Sequence, residues 1–107
     1  MYKRSFAIAI LCIPFTCFAN STYTGEITRI HAGPSVGTKV YLTLETDQNN
    51  KSSCSTNTSY NYVFDTAANG GESVLSMALT AYTSGKEVNI GGYQTCNLSG
   101  NTEDLKY

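Results

Sequence analysis

NGGESVLSMALTAYTSG, residues 69–85, is the one stretch of the chain that reads as a helix, and everything else is arranged around it. Asn69 with Glu72 three residues on has the spacing of a capping box. Gly85 has the freedom to close the helix in the left-handed conformation. Val74, Ala78 and Tyr82 recur every four residues, Leu75 and Leu79 widen that stripe, and Met77 and Ala81 lie off it. Such a helix is expected to be covered on more than one side.

Outward from the helix the chain alternates as strands do. Lys39 to Glu45 is the clearest, with Val40, Leu42 and Leu44 expected inward and Tyr41, Thr43 and Glu45 outward. Tyr60 to Asp65 is an aromatic-rich strand just before the helix. Glu87 to Tyr93 follows it, with Val88 and Ile90 inward and Gly91-Gly92 permitting a sharp coil. Tyr23 to Ala32 is the first strand. Ile27 and Ile30 cannot share a face under strict alternation, so a bulge near Thr28-Arg29 or a strand serving two sheets is expected, with Gly25 at the bend. Glu103 to Tyr107 is a short last strand with Leu105 and Tyr107 on one face. Gly33 to Gly37 is a turn-rich connection, and Thr46 to Ser59 and Asn97 to Thr102 are polar loops. The order strand, strand, strand, helix, strand, strand predicts a mainly β fold with one helix: a five-stranded OB-fold-like barrel with the helix plugging one end. A generic α+β meander is the alternative.

Residues 1–19 read as an address. Lys3 and Arg4 form a positive start, Phe6 to Phe18 an apolar run, and Cys17-Phe18-Ala19 a small-residue cleavage site after Ala19. The run is too short to span a membrane, and Pro14-Phe15-Thr16 before Cys17 does not match a lipidation box. The expectation is one secreted or periplasmic domain, residues 20–107. Cys12 and Cys17 leave with the signal, so Cys54 and Cys96 are expected as one disulfide. A two-cysteine metal site would lack histidine support, because His31 is the only histidine, and neither metal nor cofactor is expected.

Of seven basic and eight acidic side chains, Lys3 and Arg4 belong to the signal, which leaves five against eight. There is no basic run for a phosphate backbone or an anionic membrane surface, so neither nucleic acid nor membrane is an expected partner. Enzyme chemistry is weakly supported. His31 lies at a strand end with no nucleophile motif near it. Glu103 and Asp104, neighbours on a strand, point to opposite faces and read as a solvated edge. Asp65 and Glu72 flank the helix start, where a carboxylate is stabilised by the helix dipole, and Gly70-Gly71 lacks the rest of a phosphate loop. The Asn-x-Ser/Thr triplets at Asn20, Asn50, Asn57 and Asn97 are expected by chance in so Asn-rich a chain.

A binding role fits better. An exposed tyrosine among Thr, Ser and Asn can stack on a sugar face while its neighbours hydrogen-bond the rim. On an OB-fold the binding surface crosses the second and third strands, which here gives Ser35, Tyr41, Thr43, Tyr60 and Tyr62 as the candidate ligand-binding residues.

The segment Ala81 to Ile90, Ala-Tyr-Thr-Ser-Gly-Lys-x-Val-x-Ile, in a short exported chain with one disulfide, resembles the B subunits of bacterial AB5 toxins, pertussis-like and subtilase-like. The Ser-Gly-Lys, Gly-Gly-x-x-x-Cys and Glu-Asp-Leu-Lys-Tyr elements also resemble small uncharacterised exported proteins of Gram-negative bacteria, over most of residues 20–107. The toxin resemblance implies a homo-oligomer, a pentameric ring that binds cell-surface glycan, with the helices lining its pore. The chain is shorter than those B subunits, and no glycan-site motif carries over. The competing expectation is a lone periplasmic protein-interaction or inhibitor domain, working through loops such as Gly33 to Gly37 or Gln48 to Ser53.

Overall fold

Alternation decides the central strand. In a computed structural model, which describes residues 20–107, β3 (Lys39–Leu44) turns Val40, Leu42 and Leu44 into the core and leaves Lys39, Tyr41 and Thr43 half-buried on the other face. The signal expected over residues 1–19 lies outside the described residues.

The first strand is two. β1 (Ser21–Gly25) and β2 (Ile27–His31) are separated at Glu26 and belong to different sheets. β1 pairs antiparallel with β5 (Val88–Gly92). β2 pairs with β3, β3 with β4 (Tyr62–Asp65), and β4, in parallel, with the two-residue β6 (Glu103–Asp104). The register of β2 slips between Ile27 and Arg29, a bulge that lets Ile27 and Ile30 both contact the core. The molecule is thus mainly β with one helix and two sheets. The sheets do not close into the expected five-stranded barrel. The end of β5 meets the chain at and beyond β6 through a bridge between Gly92 and Leu105 and backbone hydrogen bonds between residues 91–93 and 104–107.

α1 (Gly71–Ser84) begins one residue later than the capping box implied. Asn69 caps nothing. Gly70, in the left-handed conformation, occupies the cap position, with no side-chain cap. The corner is instead built by Asp65, whose side chain accepts from the Thr38 hydroxyl (2.6 Å) and the Ala67 amide (2.9 Å), while its carbonyl accepts from Ala68. Those two hydrogen bonds, Thr38's first, hold the exposed Asp65 carboxyl below the usual carboxylate range. Gly71 passes so close under this corner that a Cβ there would lie 2.7 Å from Thr66 Cα. Gly85, left-handed at φ 68°, ends the helix as expected, its amide bonded to Ala81.

The helix lies rotated from its expected orientation. Gly71, Ala78 and Ala81 are its buried residues and Val74 and Leu75 pack beside the core. Leu79 and Tyr82 are 44% exposed and Met77 66%. A helix pinned at Gly71 approaches the sheet through its smallest side chains, which leaves the large ones on its flanks.

The expected solvated edge is the opposite of what β6 provides: Glu103 is fully buried and Asp104 nearly so. The Glu103 carboxyl accepts from the Ser21 hydroxyl, from Gln94 N (2.9 Å) and from Gln48 Nε2 (3.3 Å). Asp104 accepts from Thr95 Oγ1 (2.6 Å) and from the amides of Asn97 (2.9 Å) and Leu98 (3.1 Å). Gly92 runs directly beside the Glu103 group, and a Cβ there would lie 2.6 Å from the Tyr62 ring and overlap Glu103 and Ser21.

Cys54 and Cys96 form the disulfide, with Cα atoms 6.2 Å apart, and tie the long polar loop to the segment after β5. Closing that 42-residue separation stabilises by about 4 kcal/mol on the chain-entropy argument. The oxidised protein will therefore show no titratable thiol at these positions. The Cys54→Ser/Cys96→Ser variant will unfold at a urea midpoint lower by most of that energy, and an unchanged midpoint would contradict it. Gly92→Ala will cost about 1–3 kcal/mol by overpacking. Gly100→Ala, where a Cβ meets nothing within 4 Å, will leave the midpoint where it was.

Candidate functional site

The register of β2, β3 and β4 sorts their side chains. Ile30, Leu42 and Tyr62 stand opposite one another on the inner face. One residue along, His31 stands opposite Tyr41, and two residues from His31, Arg29 stands opposite Thr43. Those four residues occupy the outer face.

Tyr60 joins them from the loop. Asn57 accepts the amides of Ser59 (2.7 Å) and Tyr60 (3.0 Å) on its side-chain oxygen, a local turn that asparagine favours. Thr43 Oγ1 donates to the Ser59 carbonyl (2.6 Å). The turn is therefore fastened to β3. Its placement lays the Tyr60 ring 5.1 Å from Tyr41 and 5.1 Å from His31, with His31 and Tyr41 at 6.0 Å. The ring planes are inclined by 36° to 69°, the tilted and edge-on arrangements that aromatic quadrupoles favour. All three rings are half-buried, so each still presents part of itself to solvent.

Tyr60 also walls a polar cleft of about 460 Å³, with Thr43, Glu45, Asp47, Lys51 and Asn57 around it. Asn61, almost fully buried, fixes the cleft floor: its side chain accepts from Leu44 N (2.9 Å) and donates to Asp47 Oδ1 and Gln48 Oε1 (3.0 Å each). Lys51 approaches Asp47 at 3.5 Å, a surface pair that contributes little to stability but sets the charges at the rim.

Of the expected ligand-binding residues, Tyr41, Thr43 and Tyr60 come together here. Ser35 lies in a 3-10 turn (Pro34–Val36) between β2 and β3 and does not line the cleft. Tyr62 is fully buried on the opposite face, its hydroxyl 2.7 Å from Ser21 Oγ, and offers a ligand nothing. His31, Asn57 and Asn61 are the residues that sequence reasoning missed. His31 carried a signal, since it follows core-facing Ile30, but only the pairing with β3 brings it against Tyr41.

The three rings offer stacking surface, and the cleft offers amide, hydroxyl, carboxylate and ammonium groups for hydrogen bonding. Among the described residues, no three His, Cys, Asp or Glu side chains converge as a metal site requires, and no helix is long and apolar enough to cross a membrane. In comparisons with known proteins, no family model, no curated protein and no solved structure matches the chain.

Burial pushes the Tyr62 hydroxyl up to about 12 from the ordinary 10.0, with Glu103 adding to the rise and the Ser21 hydrogen bond opposing it. The folded protein thus holds this proton more tightly than the unfolded chain. Tyr62's contribution is complete below pH 10.0 and is lost as pH rises towards about 12. Urea melts across that range will show stability falling, and Tyr62→Phe will flatten the fall. An equal fall in the variant would contradict this placement.

Proposed function

We propose that residues 20–107 form an exported, non-catalytic binding module whose outer sheet face takes a neutral glycan. The observation that carries this reading is the His31–Tyr41–Tyr60 ring cluster set directly beside a polar cleft. A pyranose has the matching division, an apolar face of C–H groups and a rim of hydroxyls. Rings held by packing lose little freedom on binding, which favours affinity. Tyr41 and Tyr60 stack on the sugar. Thr43, Glu45 and Lys51 at the cleft read its hydroxyls, and His31 supports both rings from β2.

The strand connections support an OB-like reading of the architecture. The first extended segment bends between two sheets, β4 and β6 run parallel, and the Gly92–Leu105 bridge links β5 towards β6. On that architecture the face across β3 and β4 is the customary ligand surface. The localisation proposed from residues 1–19, secreted or periplasmic, agrees with the Cys54–Cys96 disulfide.

A second reading rests on Met77, Leu79 and Tyr82, large apolar side chains exposed along α1. A protein partner or further copies of the chain in a ring would cover them. Light scattering of the oxidised protein separates a monomer from an assembly of about five chains, the number expected from the toxin resemblance.

On a glycan array the oxidised protein will retain neutral oligosaccharides. Tyr41→Ala and Tyr60→Ala will each weaken that binding about tenfold, a loss of the size that one aromatic contact supplies, with circular dichroism unchanged. Retention unaffected by both variants would overturn the assignment.

A further inference from the structure

A second cavity, of about 580 Å³, lies between the start of α1 and the segment that follows β5. None of its lining residues belongs to the cleft beside Tyr60. Its apolar lining comes from Phe64, Val74, Leu98 and Leu105. The volume falls within the range of small-molecule sites, about 300–1000 Å³.

Two braced walls hold this space open. On one side Asp65 fixes the corner into α1 through Thr38, Ala67 and Ala68. On the other, the Asp104 side chain gathers Thr95, Asn97 and Leu98, and the disulfide at Cys96 anchors the same segment. A groove of mobile side chains could collapse onto its apolar surface. These walls are fixed by the hydrogen bonds that the Asp65 and Asp104 carboxylates accept and by a covalent link, and Leu98 and Leu105 stay partly uncovered.

Donors without partners remain at the rim. Among the described residues, the side-chain amides of Asn69 and Asn97 enter no hydrogen bond, and the Lys106 ammonium makes no ion pair, resting 5.7 Å from the centre of the Tyr93 ring. The two carboxylates that line the cavity, Asp65 and Asp104, already accept from the groups named above, and their charge disfavours a strongly anionic guest.

We propose that this cavity is a second ligand site. Its ligand is a small apolar molecule bearing one hydrogen-bond-accepting head group, uncharged or singly negative. The apolar body rests on Phe64, Val74, Leu98 and Leu105. The head group takes its hydrogen bonds from Lys106 and the Asn69 and Asn97 amides. Bulky, rigid placement of the walls favours a compact body over a flexible chain.

Two fluorescent probes test this on the oxidised protein: neutral phenylnaphthylamine and singly anionic anilinonaphthalene sulfonate. Each will bind saturably at one site while the near-ultraviolet circular dichroism stays native, which distinguishes a site from loosened packing. Leu98→Trp, which fills the cavity, will weaken both probes at least about tenfold, and Lys106→Met will weaken the sulfonate by several-fold more than the neutral probe. Asn69→Trp repeats the filling test from the exposed rim should Leu98→Trp fold poorly. Glycan retention by these variants will be unchanged, which keeps the result separate from the outer-face site. Absence of saturable binding, or binding that neither tryptophan variant alters, would overturn the second site. Equal effects of Lys106→Met on both probes would overturn the head-group assignment.

Discussion

A carboxyl group with no cation beside it sits at the centre of this molecule. Glu103 is fully buried, and it makes no ion pair among the described residues. Burial of such a group is tolerated only when hydrogen bonds replace water. Three donors do so, each from a different part of the chain: the Ser21 hydroxyl of β1, the Gln48 amide of the long loop and the Gln94 amide after β5. Ser21 also meets the Tyr62 hydroxyl of β4. The two sheets, joined in the backbone by hydrogen bonds between residues 91–93 and 104–107, are also held together by side chains converging on one carboxyl. That arrangement dictates a glycine at position 92, since strand β5 must pass within touching distance of Ser21, Tyr62 and Glu103.

The same network explains which side chains reach the outer sheet face. It draws Tyr62 inward, and strand alternation then turns β3 and β2 so that Tyr41 and His31 face out. Gln48 bonds to Asn61 as well as to Glu103, so the loop that shapes the cleft is tied to the interior. Asn57 completes the geometry by bending the chain at Ser59 and Tyr60. The ring cluster is thus a consequence of core organisation on one side and a single turn on the other. The helix packs on the inner side of the same sheet, against β2.

What could be read from the sequence had short-range causes. The inward run Val40, Leu42, Leu44 follows from a period of two, the end of α1 from Gly85, and the bulge from the spacing of Ile27 and Ile30. The disulfide followed from the compartment implied by residues 1–19. Features fixed by distant partners were not legible. Glu103 looked like a solvated edge because Ser21, Gln48 and Gln94, which satisfy it, are far away in sequence. Tyr60 and Tyr62 share a strand parity, yet β4 begins at Tyr62, and the Asn57 turn frees Tyr60 to lie on the opposite face. Asn69 and Glu72 had a capping spacing, but Asp65 had already set the corner and moved the helix start to Gly71.

Amide chemical-shift mapping of the isotope-labelled oxidised protein, titrated with a mixture of neutral oligosaccharides, tests the central claim most directly. The account predicts saturable shifts confined to residues 29–31, 41–43 and 57–61, on one face of one sheet. Saturable shifts elsewhere, or none in those three segments at millimolar sugar, would contradict it.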